Sequence, residues 1–187
     1  MAEALSAARS DGRTGEIQEY VTFCLNEEMY AMDALQVQEI IELANITKVP
    51  HLPGFLKGVI NLRGTIIPVV DLKMKFGMDV GEYRKHTCVI VTEFSGGVMG
   101  VIVDSVSDVM HMPAEAIAAT PSFGTRIRTD FIRGMGRIGD NLVLVLDVDR
   151  VLSDDEVPLI DSAVRYGREG AVSESGTGKN NGQEDKQ

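Results

Sequence analysis

The sequence predicts a mostly β protein made of two related units, each closing as a small five-stranded barrel, with a few short helices. One reason is that apolar runs of about five residues recur through the middle of the chain, with turn signals such as Ser95-Gly96-Gly97 between them. A second reason is an internal duplication of this middle part. Helix signals are weak by comparison. Five short strands in roughly sixty residues close best as a barrel, because closure removes exposed sheet edges.

The duplication is visible without gaps over its second half. A shift of 76 residues places residues 55–72 on residues 131–148, so that two phenylalanines and two aspartates coincide. A shift of 69 residues places the stretch that begins at Tyr30 on the stretch that begins at Met99, and the seven extra residues fall in an insertion before Phe131. The pattern indicates two homologous β-units joined in tandem.

These shifts define the expected domain organisation. One unit covers about residues 19–77 and the other about residues 86–152, within a domain of residues 16–164. Residues 1–15 and 165–187 are polar, rich in small residues and without hydrophobic periodicity. Such segments bury too little apolar surface to offset the entropy of ordering, so we expect both tails to be disordered.

Residues 58–72 predict a β-hairpin with Arg63 and Gly64 in its turn. Gly64 supplies the positive φ that a tight turn needs. Arg63 remains at the tip, where its charge faces solvent or a partner, because burying an unpaired guanidinium would be too costly.

Three aspartates mark the expected helix starts. Asp33 opens a capping-box pattern that favours either a helix or one or two turns leading into a strand. Asp71 and Asp147 are related by the duplication, and each precedes residues that could start a short helix, so we expect both to act as caps. The same pair could suggest an aspartic protease, but neither aspartate is followed by the small, glycine-containing turn that this chemistry needs.

Composition narrows the classes of partner and compartment. The net charge of -10 disfavours nucleic-acid binding, because an acidic surface repels phosphates. Neither a signal peptide nor a membrane-spanning stretch is visible, and we expect a cytoplasmic protein. Cys24 and Cys88 lie in apolar runs and are expected to be small buried hydrophobes in a reducing compartment.

No motif predicts catalysis, a cofactor or a metal. Residues 134–139 match the glycine pattern of a dinucleotide site, but an apolar strand-like run follows where a helix should begin. His51, His86 and His111 are scattered singly, without ligand partners at metal spacing.

Five motifs in order carry a family resemblance: VQEI at 37–40, GVINLRG at 58–64, IIPVVDL at 66–72, GVIVDSVSDV at 100–109 and LIDSA at 159–163. The chain resembles the CheW family of chemotaxis coupling proteins over almost all of residues 19–162. This resemblance implies two intertwined SH3-like barrels without enzyme activity. The same fold occurs in the kinase CheA and in CheV, but neither a kinase nor a receiver module fits in 187 residues.

The resemblance also implies partners. They are the cytoplasmic tip of methyl-accepting chemoreceptors, the regulatory domain of CheA, and further CheW copies in rings at membrane-associated arrays. Carried over by motif, the receptor face is lined by Val37, Glu39, Asn61, Arg63, Gly100 and Val106. For the kinase we expect an exposed aromatic in the insertion, Phe123, accompanied by Ile117. An alternative is an adaptor of a chemosensory-like system that controls surface motility or a second messenger.

Overall fold

A computed structural model describes residues 15–43, 45–120 and 129–174. Ten strands lie within this part of the chain. They are β1 (Ile17–Leu25), β2 (Glu28–Asp33), β3 (Val37–Glu42), β4 (Leu56–Leu62), β5 (Thr65–Asp71), β6 (Cys88–Phe94), β7 (Gly97–Val103), β8 (Ser105–Pro113), β9 (Ile132–Ile138) and β10 (Asn141–Leu146). The α-helices are α1 (Leu72–Lys75) and α2 (Val157–Glu174), and single 3-10 turns cover Ala34–Gln36, Ala114–Ala116 and Val148–Arg150.

The strands form two five-stranded sheets with the same internal order. Barrel A has the order β8-β1-β2-β10-β9, and barrel B has the order β3-β6-β7-β5-β4. Exchanging β1 to β5 with β6 to β10 converts one order into the other, which is the structural form of the duplication. In each barrel one contact is parallel, β2 with β10 in barrel A and β5 with β7 in barrel B, while the other pairings are antiparallel.

Each barrel draws strands from both sequence units. The first hairpin of one unit combines with the last three strands of the other unit. Two pseudo-symmetric, interlocked five-stranded barrels are therefore confirmed, but the expectation that residues 19–77 and 86–152 each close as one barrel is wrong. The exchange of strands depends on long-range pairings, such as β1 with β8, which local sequence patterns do not encode.

Equivalent glycines allow both barrels to close. In barrel B, Thr47 exchanges two backbone hydrogen bonds with Val59, at 2.8 and 2.9 Å. Gly58 has φ +139, and a Cβ there would overlap the Thr47 carbonyl. In barrel A, Ala118 and Met135 exchange two such bonds at 2.8 Å. A Cβ on the neighbouring glycine, Gly134, would come within 2.6 Å of the Ala118 oxygen. A side chain at either glycine would push the closing segment away.

The largest hydrophobic core joins the two barrels. It contains residues of both sheets, such as Phe23 and Val101, together with Ile160 and Ala163 of α2. Smaller clusters fill the two barrel interiors. The unit junctions meet in this core as well, where the rings of Phe76 and Phe131 stack with centroids 3.8 Å apart.

The helix starts follow the aspartates only in part. The Asp33 carboxylate accepts from Leu35 N, but the turn ends at Gln36 and the chain continues as β3. Asp71 caps α1 as expected, accepting from Lys73 N at 2.9 Å. For Asp147 the expectation is wrong, because its side chain makes no capping bond to the following turn.

The expected disorder of the C-terminal tail is also wrong over part of its length. Helix α2 continues through Arg165 to Glu174, while residues 1–14 and 175–187 lie outside the described part of the chain. A close contact explains the helix, because Gly167 lies so near the barrel that a Cβ would come within 2.7 Å of Ile66 and 3.0 Å of Val59. Among the described helices, none is both long and apolar enough to cross a membrane.

The two cysteines are free and half-buried rather than fully buried. Burial raises the pKa of the Cys88 thiol, while a backbone hydrogen bond from Val106 acts in the opposite direction. Raising the pKa lowers the thiolate fraction and therefore the reactivity of this cysteine.

Candidate partner-binding surface

The tip of the β4–β5 hairpin presents an arginine in an unusual backbone conformation. Arg63 has φ +50 and Gly64 has φ +84, so both central residues of the two-residue turn are left-handed. Such turns suit the twist of a hairpin, and asparagine or glycine usually occupies their first position. The side chain of Asn61 holds the turn by accepting from Gly64 N at 2.9 Å. The sequence therefore keeps arginine at a position where the backbone favours other residues.

Arg63 and Glu39 form a bidentate ion pair across barrel B. Arg63 Nη1 donates to Oε1 of Glu39 at 2.9 Å, and Nη2 donates to Oε2 at 2.8 Å. The Arg63 side chain is 75% exposed, whereas that of Glu39 is 26% exposed. The hydrogen bonds with Glu39 and its charge raise the pKa of the Arg63 guanidinium. The pair holds the planar guanidinium in a fixed orientation while most of it remains open to a partner.

The other residues expected on the receptor face are spread over the fold. Val37 lies on β3 opposite Thr92 and packs against the main core. Val106 belongs to β8 in barrel A and lies near Cys88, at the other end of β6. Both valines are half-buried, so they are available to a partner only in part.

Gly100 does not lie on the surface. It is buried on β7 between Val69 and Val91, and a Cβ there would come within 2.7 Å of Val89 Cγ1. The expectation that it lines a receptor face is therefore wrong. Its absent side chain leaves room inside barrel B, and a substitution would act on binding only through the packing beneath the surface.

The two residues expected to contact the kinase have different outcomes. Ile117 is half-buried, packs against the interior of barrel A and lies against Gly134, so it serves barrel closure. Phe123 lies outside the described residues, and its role as a kinase anchor stays a prediction.

Sequence reasoning missed the contribution of α2. Its second half and the β4–β5 hairpin enclose a groove of about 350 Å³, bounded by Asn61, Ile66, Tyr166, Gly167 and Gly170, among others. The spacing of small residues at 163, 167 and 171, after the apolar pair at 159 and 160, could have indicated a helix packed closely on a sheet. Because Asn61 also braces the hairpin turn, this groove and the Arg63 tip form one continuous surface.

Two charged residues fix the start of α2 to the end of barrel B's β4–β5 unit. Lys75 of α1 is nearly buried, makes an ion pair with Glu156 just before α2, and lies 4.4 Å from the centre of the Phe55 ring. Burial alone would raise the pKa of Glu156, but its hydrogen bonds with Lys75 and Ser153 and the Lys75 charge lower it overall. The carboxylate form of Glu156 is therefore the form that holds the helix.

The carboxylates related by the duplication are structural. Asp71 is fully buried, caps α1 and accepts a hydrogen bond from the Tyr83 hydroxyl at 2.7 Å. Burial and this bond to Asp71 raise the pKa of Tyr83. Asp147 instead pairs with Arg150 at 3.2 Å. In the described part of the chain, no group of three or more histidine, cysteine, aspartate or glutamate residues is arranged to hold a metal ion.

Comparison with known proteins agrees with the fold and the motifs. A family model for the CheW-like domain matches residues 19–156. The chemotaxis protein CheW of Klebsiella aerogenes is 38% identical over 148 residues, covering 79% of this chain and 89% of the relative. The CheW of Thermotoga maritima is 31% identical over 139 residues, covering 73% and 88%.

A solved structure extends the likeness to three dimensions. The scaffolding protein TtCheW from Thermoanaerobacter tengcongensis is 35% identical and superposes with a TM-score of 0.68, covering 73% of this chain and 92% of that chain. The family model ends at residue 156, just before α2 begins at Val157. By its sequence motifs, its interlocked barrels and these matches, the chain belongs to the CheW-like domain family.

Proposed function

We propose that this chain is a non-catalytic adaptor that couples methyl-accepting chemoreceptors to the histidine kinase CheA in cytoplasmic, membrane-associated signalling arrays. Relatives that bear the name chemotaxis protein CheW, and a relative described as a scaffolding protein, support this proposal. An adaptor of this kind changes no bonds. It transmits a signal by contacting receptor and kinase differently in their two signalling states.

The observation that carries the proposal is the Arg63–Glu39 pair at the hairpin tip. An exposed ion pair contributes little to folding, so stability does not explain an arginine in a left-handed turn position. The duplication provides a comparison, because the other hairpin has Gly139 at the position of Arg63 and Asp108 at that of Glu39. The bidentate pair is therefore particular to the surface at barrel B and not a requirement of the fold.

This surface suits a helical partner. Arg63 at the tip, fixed by Glu39 on β3, and Asn61 beside the α2 groove place a held guanidinium next to a groove lined by both polar and apolar side chains. A receptor tip is a helical hairpin, which could place apolar side chains in the groove and an acidic or carbonyl oxygen on Arg63. Kinase docking is proposed at the insertion that contains Phe123.

Charge reversal tests the receptor surface and separates two roles of the pair. We expect Arg63→Glu to weaken binding of a receptor cytoplasmic fragment at least about tenfold, because a partner oxygen then meets a negative charge. Glu39→Arg alone should weaken binding less. If Arg63 contacts the receptor directly, the double variant Arg63→Glu with Glu39→Arg stays defective, because the swapped pair places its positive charge on β3.

A matched control removes the general effect of charge. Arg150 is also exposed and also paired with a carboxylate, that of Asp147, so Arg150→Glu should leave receptor binding unchanged. Circular dichroism of all variants should remain that of the folded protein. Receptor binding by Arg63→Glu equal to that of the unmodified chain would overturn the assignment of this surface.

A further inference from the structure

The duplication assigns a counterpart in barrel A to the surface beneath α2. In barrel B, α2 lies on the outer face of the β4–β5 hairpin, with Gly167 against Val59 and Ile66. The shift of 76 residues relates Val59 to Met135 and Ile66 to Leu142. Ile66 is half-buried under the helix, whereas Leu142 is 57% exposed. In the part of the chain that the structure describes, no helix packs on this second hairpin as α2 packs on the first.

The side chains around Leu142 are more apolar than those at the equivalent places in barrel B. Thr47 beside the α2 groove corresponds to Ala118, which makes the equivalent closing bridge, and Lys48 corresponds to Ala119. Both alanines are exposed. Met135 is half-buried, so the hairpin presents two large apolar side chains flanked by two small ones. A surface of this shape accommodates a closely packed helix in the other barrel.

One charge distinguishes the two surfaces. Asn61, which bounds the α2 groove next to Gly170 and Ala171, corresponds to Arg137. The Arg137 side chain is 72% exposed, and its ion pair with the fully exposed Asp140 is long, at 3.7 Å. Its Nε donates to the carbonyl of Gly139 at 3.0 Å, which directs the guanidinium along the hairpin. The surface therefore combines an apolar face with a positive charge that a negative side chain could approach.

We propose that the outer face of the β9–β10 hairpin, formed by Met135, Arg137 and Leu142 with Ala118 and Ala119 at its side, docks an acidic amphipathic helix of a partner protein. The helix takes the position that α2 occupies on barrel B. It carries a small residue over Met135 and Leu142, where α2 has Gly167, and an acidic residue one turn later, facing Arg137. The inference rests on the duplication and on charge complementarity, and it does not depend on the receptor surface at Arg63.

The probe is a labelled peptide with the sequence of residues 157–174 and the change Ala171→Glu, which places a carboxylate where α2 faces Asn61. A second peptide carries Ala171→Lys. Binding of each to the full chain is followed by fluorescence anisotropy. We expect saturable binding, tighter for the glutamate peptide by about threefold or more, as for an exposed charge pair. Arg137→Glu should reverse that order.

Apolar contact is tested with a matched pair of variants. Leu142→Asp should weaken peptide binding at least about tenfold, since the central apolar side chain is lost. Leu35 is 91% exposed on the turn before β3, so Leu35→Asp makes the same chemical change elsewhere and should leave binding unchanged. Both variants should keep the thermal midpoint of the unmodified chain, because both leucines are exposed.

Other outcomes overturn the proposal. Absence of saturable binding, equal affinity for the two peptides, or unchanged binding by Leu142→Asp would each do so. Sedimentation of the chain alone decides the identity of the occupant. If the unmodified chain is a dimer that Leu142→Asp converts to a monomer, a second copy covers this face, and docking of a partner helix is wrong.

Discussion

We expect Gly58→Ala to lower the free energy of unfolding, because Gly58 allows barrel B, which presents the Arg63 tip, to close. The glycine has φ +139, and the added Cβ would overlap the carbonyl oxygen of Thr47. A left-handed alanine costs about 1–2 kcal/mol relative to glycine. The overlap is with backbone, so the closing segment must move, and the two bonds between Thr47 and Val59 are lost at about 1 kcal/mol each. The total loss in the free energy of unfolding is about 3–4 kcal/mol.

Urea denaturation followed by circular dichroism measures this loss, with Gly139→Ala as the control. Gly139 also has a left-handed backbone, at φ +56, but a Cβ there would meet no atom within 4 Å. The control should therefore lose only the conformational part, about 1–2 kcal/mol. Equal losses for Gly58→Ala and Gly139→Ala would refute the inference that the glycine is required for closure.

Two further predictions concern α2. Gly167→Ala should lower the free energy of unfolding by about 1 kcal/mol, because the clash with Ile66 exceeds the gain in helix propensity. Gly170→Ala should instead raise it by about 0.5–1 kcal/mol in the same urea titration, because a Cβ there would meet nothing within 4 Å. A stabilising Gly167→Ala would contradict the close contact. The second prediction concerns pH. Since the pKa of Glu156 is lowered in the folded state, its contribution is present above the ordinary value of 4.5 and is lost as the pH falls through the lowered value. Glu156→Gln should therefore lower the urea midpoint at pH 7, and the difference from the unmodified chain should shrink below pH 4.5. A difference that stays constant with pH would show that the negative charge of Glu156 does not contribute to the interaction with Lys75.

The strand content and the duplication could be predicted because both are local. Turn residues separate apolar runs, and the hairpins of residues 58–72 and 134–148 keep their spacing. The exchange of strands between the units could not be predicted from the residues, because a barrel closed within one unit would bury the same apolar side chains. Only the family resemblance indicated the interlocked arrangement.

The C-terminal end of α2 could not be predicted from the sequence for a different reason. Residues 166–174 are mostly polar and include two glycines, so their composition is typical of disorder. The helix forms because Gly167 allows close packing on Val59 and Ile66, which is a tertiary contact overriding local propensity.

The sequence could predict which charged residues belong to the candidate site, but not how their side chains are arranged. The sequence singled out Arg63 at a hairpin tip and Glu39 among apolar neighbours, but not that the two side chains pair. For Gly100 the family motif gave the position, but the structure shows that this glycine is buried inside barrel B. A motif therefore identifies positions in the sequence without saying which of them lie on the surface.

Coupling is tested most directly by co-sedimentation of CheA with a receptor cytoplasmic fragment, in the presence and absence of this protein. We expect the kinase to sediment with the receptor only when the protein is added. Arg63→Glu should leave the kinase in the supernatant, whereas the control Arg150→Glu should behave like the unmodified chain. Equal sedimentation of the kinase with and without the protein, or full coupling by Arg63→Glu, would contradict an adaptor that binds the receptor through this hairpin tip.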